Sequence, residues 1–165
     1  MTSDAIAGFT QEQGMFELSM LNAETSYAEF EEVIIEGIKR GIPTEILTRL
    51  KDLWEVSKEV AGEVVVIGKI IVMAIIDFMK ANPMITVGLI LGAALSTLVL
   101  GIPFLGPLLL PITMGVSALY GAGVGAAMQG GDYSGSPISA AIALAKKFFE
   151  LLRMILMAVS DYWKS

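Results

Sequence analysis

Between Ala81 and Gly131 the chain carries no Asp, Glu, Lys or Arg. That run constrains the fold more than any other feature, because soluble domains place a charge at about every fourth residue. The whole composition leans the same way, with 55% hydrophobic and 17% charged residues and a mean hydropathy of +0.70. The chain reads as a membrane protein. Its 165 residues suffice for one domain with a core and are too few for two.

Two segments inside the run have the length of short membrane spans. They are "MITVGLILGAALSTLVL", residues 84–100, and "ITMGVSALYGAGVGAAM", residues 112–128. Each would rise about 26 Å as a helix, against a hydrocarbon layer of about 30 Å. Each carries small residues four apart: Gly88, Gly92 and Ser96 in the first, Thr113, Ser117, Gly121 and Gly125 in the second. Such small-xxx-small rows let helix backbones approach closely in lipid. Together they predict a transmembrane hairpin over 82–129.

The connection, "GIPFLGPLLLPI" at 101–112, is a bend punctuated by Pro103, Gly106, Pro107 and Pro111, with no room expected for a regular helix. It offers nothing polar to water. Leaving its seven large apolar side chains wet would forfeit on the order of 10 kcal/mol. Lipid-facing irregular backbone is no better. Two shelters are expected: the headgroup layer, or the same bend in neighbouring copies. The second favours a homo-oligomer.

Long amphipathic helices are expected on either side. Residues 1–42 form an acidic arm, in which Asp4, Glu12, Glu17, Glu24, Glu29, Glu31, Glu32 and Glu36 precede the first base, Lys39. Thr10 is a plausible cap, a break is expected near Asn22, and Gly41 with Pro43 should end the arm. The arm is a solubilising face, an extramembrane cap, or a surface for a cytoplasmic protein partner. Residues 43–81 predict one long helix whose second half is nearly all apolar. A polar stripe along it includes Lys69, Met73 and Asp77, candidates for lining a path in a ring of copies. The competing readings are snorkelling to lipid headgroups or an ion pair between subunits. Residues 130–165 give a polar loop and then an amphipathic helix from Ser136-Pro137. There Phe148, Phe149, Tyr162 and Trp163 are candidate interfacial anchors. Packing of this helix against 44–80 is the alternative.

Basic residues flank the hairpin on both sides and are absent from the bend, which places both termini in the cytoplasm. No signal peptide is evident. The acidic net charge of −6 disfavours nucleic acid. With neither cysteine nor histidine, thiolate and imidazole chemistry are excluded. "GAGVG" at 121–125 lacks the strand and spacing of a nucleotide loop, a Ser96–Lys69 dyad has nothing to orient it, and Glu31, Glu32 and Glu36 lack EF-hand spacing. No enzyme activity, cofactor or metal is expected.

The hairpin resembles several bacterial classes. Its topology is similar to that of two-span holins, and its setting among amphipathic helices resembles colicin-type pore formers. Residues 82–101, "NPMITVGLILGAALSTLVLG", resemble small glycine-zipper inner-membrane proteins. The resemblance covers only the hairpin and assigns no residue a role. The expectation is an all-α integral protein of the inner membrane that assembles into a pore, channel or permeabilising complex. A membrane scaffold whose acidic arm recruits a partner, or a membrane-curving hairpin, are the alternatives.

Overall fold

The computed structural model describes residues 8–121 and 137–163. Helix α1, Gln11–Thr25, starts at Thr10, whose hydroxyl accepts from the Gln13 N–H while the Gln13 side chain accepts from the Thr10 N–H. This reciprocal capping satisfies two orphan donors. Helix α2, Phe30–Arg40, ends at Gly41, whose φ of 78° turns the chain left-handed. Ile42 then donates back to the Gly37 carbonyl at 2.8 Å and buries its side chain. The break in the arm thus falls at 26–29, slightly after Asn22.

Residues 43–81 do not form one helix. Helix α3, Thr44–Trp54, gives way to an antiparallel hairpin of β1, Lys58–Val60, and β2, Glu63–Val65. Helix α4, Ile67–Ala81, follows. Ala61 and Gly62 supply the two positive φ values that a two-residue hairpin loop needs. Gly68 shows why the chain must double back here. A Cβ on it would lie 1.6 Å from the Leu53 carbonyl oxygen, and its N–H donates to the Val56 carbonyl at 3.0 Å. The start of α4 is therefore pressed against the end of α3. Asn22 of α1 fastens the hairpin edge, donating to the Val64 carbonyl and accepting from the Val66 N–H.

Helix α5, Val87–Gly101, is apolar on every side and forms the centre of the molecule. A single 3₁₀ turn, Pro103–Leu105, leads into α6, Gly106–Tyr120. The bend is thus shorter than the sequence implies, and the helix runs through Pro111. Pro107 sits in its first turn, where its missing N–H is harmless. Pro111 forfeits one further intrahelical bond, close to the helix start. The bend's shelter also differs from both expectations. Ile102, Leu105, Leu109 and Ile112 are buried within the same chain, so neither lipid nor a second copy is needed to cover them. Leu110 does remain outside, 52% exposed.

Helices α7, Pro137–Phe148, and α8, Glu150–Ala158, complete the wrap. Helix α7 packs along α5, α8 packs on α1, and α3 crosses α4 and α6. Gly14 permits the close approach of α1 and α8, since a Cβ there would meet the Ala158 Cβ at 2.6 Å. After a last 3₁₀ turn, Ser160–Tyr162, Trp163 forms an isolated bridge to Val60 of β1. The buried side chains make one continuous core drawn from all four sequence segments. The fold is helical, with eight α-helices among the described residues and one small hairpin. One helical stretch, Pro103–Tyr120, is long and apolar enough to cross a membrane.

Candidate functional site

The charge-free pair α5–α6 is the part of the molecule with unusual surroundings. Helix α5 is enclosed, whereas α6 buries only Leu109, Ile112, Gly115 and Val116. Its outer face carries Pro107, Leu110, Pro111, Met114 and Ala118, all exposed. These positions fall three or four apart and share one side of the helix. Met114 is 59% exposed. The result is an apolar stripe with no charge along its length.

Cations from the polar elements hold this pair in place through backbone carbonyls. Arg40, at the end of α2, donates to the Met79 carbonyl at 2.7 Å and to the Ile85 carbonyl at 2.9 Å. It closes the end of α4 and fixes the approach to α5 together. Arg49 of α3 donates to the Pro111 carbonyl at 2.7 Å and pairs with Glu45 at 3.3 Å. Gly115 makes room for that guanidinium, since a Cβ there would lie 3.0 Å from Arg49 Cδ and Nε. Neither arginine is flagged by sequence periodicity. The sequence hint is that each is a strong donor on an amphipathic helix; for Arg40 the break between α4 and α5 also leaves carbonyls free.

Lys69, Met73 and Asp77 all lie on α4 but meet different surroundings. The Lys69 ammonium donates to the Ser26 and Ala28 carbonyls, at 3.3 and 3.2 Å, and sits 5.5 Å from the Trp54 ring centre. It caps the carboxyl end of α1, where a cation complements the helix dipole. Met73 and Asp77 line a groove shared with α1, α7 and α8, with Glu24 on the opposite wall. Desolvation raises the Asp77 carboxyl above its ordinary range, opposed by the nearby Lys80 charge.

The small-residue rows are largely taken up inside the chain. Gly88, Gly92 and Ser96 are buried, and a Cβ on Gly88 would touch the Tyr120 ring at 2.6 Å. The α5 row therefore receives an aromatic side chain of α6 at that point. Thr113 hydrogen-bonds the Leu110 carbonyl, Ser117 is half-buried, and Gly121 ends the helix with φ 91°. Gly125 and the "GAGVG" segment after Gly121 lie outside the described residues, so the second expected span is seen only to Tyr120.

The aromatic residues near the C-terminus divide. Phe149 is 2% exposed and packs on Phe78, with ring centres 5.3 Å apart. Trp163 packs on Phe104 of the bend with tilted rings, centres 4.7 Å apart. Phe148 and Tyr162 remain partly open, and the Tyr162 hydroxyl donates to the Gln11 side chain. Comparison with family models, curated proteins and solved structures finds no match for the chain.

Proposed function

We propose that the chain is a membrane-inserting helical-hairpin protein that permeabilises a bilayer without catalysis, with α5 and α6 as the inserting pair. The observation that carries this reading is the coincidence of the charge-free run with two consecutive helices, one enclosed and one presenting an uncharged apolar stripe. The stripe on α6 makes first contact with lipid. In the bilayer α6 parts from α5, Tyr120 leaves Gly88, and the row Gly88–Gly92–Ser96 becomes available for pairing between copies. The basic flanks orient both termini to the cytoplasmic side of an inner membrane.

Release of an entrapped dye from phosphatidylglycerol-containing vesicles tests this. The wild-type chain is expected to release the dye. Met114→Lys should abolish most release, because a lysine in mid-span costs about 2.5–3.5 kcal/mol. The solvent-exposed position should leave the unfolding midpoint unchanged. Equal release by both versions overturns the proposal.

A scaffold is the second reading, favoured by one observation on α2. Ile34, Ile35 and Ile38 are exposed there beside Glu31 and Glu32, an acidic and apolar face suited to a cytoplasmic protein partner. A scaffold gives no dye release in either version.

A further inference from the structure

A cavity of about 350 Å³ lies between the second half of α5, α7 and the start of α8. That volume falls within the range of small-ligand sites. Its walls are apolar, formed by Leu98, Ile102, Ile142 and Phe149. Thr97 also borders it, its hydroxyl turned away into the packing and without a hydrogen-bond partner among the described residues.

The rim adds charge. Lys146 of α7 is exposed, and Arg153 of α8 is half-buried with its guanidinium 2.6 Å from Glu150. Gly101 lets the Arg153 stem lie on α5, since a Cβ there would come within 3.2 Å of Arg153 Cδ. Thr97 is one helical turn before Gly101, on the same side of α5. Two cations and one carboxylate leave the rim one positive charge in excess.

We infer that this cavity binds the acyl chain of an anionic amphiphile, whose head is held at the rim by Lys146 and Arg153. The ligand is either a free fatty acid or a phospholipid drawn from a bilayer. The inference does not rest on the insertion reading, since a chain that never entered a membrane would still bind such a molecule.

Displacement of fluorescent cis-parinarate from the full chain, held in one nonionic micelle throughout, tests the site. Dodecanoate should displace the dye, dodecanol more weakly, and dodecylamine least. Lys146→Gln, an exposed position that does not threaten the fold, should weaken dodecanoate about tenfold, just under the range for a hydrogen bond to a charged group because the lysine is solvated, and leave dodecanol unchanged. Ile142→Phe, which fills the cavity, should weaken both. Equal displacement by all three amphiphiles, or an unchanged dodecanoate affinity in Lys146→Gln, overturns the inference. Phosphatidylglycerol vesicles then identify the source. If Lys146→Gln loses vesicle binding in parallel with dodecanoate, bilayer lipid is the ligand; if vesicle binding is unaffected, the ligand is free. Either result keeps the site.

Discussion

Arg40, Arg49 and Lys69 use their charge in one way: each donates to main-chain carbonyls, Arg40 and Lys69 beside helix ends and Arg49 within α6. Bonds from a charged donor contribute about 1.5–3 kcal/mol apiece when shielded from water. Arg40→Met keeps the aliphatic stem and removes two such bonds. It should lower stability by about 3 kcal/mol, the low end for two such bonds because Arg40 is only half-buried, measured by urea denaturation, and a shift near zero would show that water replaces the guanidinium. Asp77 works in the opposite sense. Its folded-state value lies above the ordinary 3.8, so the fold disfavours the charged form, and that cost is present at neutral pH. The cost fades as pH falls through the raised value and is gone below 3.8. Asp77 is exposed at the groove edge, so water screens most of this cost; Asp77→Asn should raise the unfolding midpoint at pH 7 only slightly, with the gain vanishing in acid. A gain that grew on acidification would contradict the assignment.

At the scale of elements, Gly68 decides the path of the middle third. Gly68→Ala places a methyl group against the Leu53 carbonyl and should cost about 3 kcal/mol, the upper range for overpacking. Circular dichroism and denaturation would read that loss, and a wild-type midpoint would show that α3 and α4 can separate freely. Several boundaries were legible from local chemistry: the Thr10 cap, the Gly41 stop, Pro43 before α3 and Pro137 at the start of α7. Those signals are local, and short-range geometry satisfies them. The hairpin β1–β2 was hidden because "EVAGEVVVIG" also fits a helical stripe, and only the contact of Gly68 with α3 selects the strand alternative. The bend was misjudged for a similar reason. Prolines at 107 and 111 fall early enough in α6 to be tolerated, and the side chains of Leu105 and Leu109 find their cover in distant parts of the chain. The arginine clasps and the cavity at Thr97 depend on residues far apart in sequence, which periodicity does not register.

For the whole molecule, the four sequence segments share one core with α5 at its centre. The polar helices α1, α2 and α3 and the tail helices α7 and α8 serve as a wrap around apolar helices that would otherwise be in water. The wrap is incomplete over α6, and that gap is where the account places the first contact with a bilayer. The measurement that tests this most directly exploits the absence of cysteine from the chain. A single cysteine at Met114, labelled with an environment-sensitive fluorophore, is mixed with vesicles containing lipids brominated deep in their acyl chains. The account predicts a blue-shifted emission strongly quenched by the deep bromines. A dye that stays in water, unquenched at saturating lipid, would contradict it.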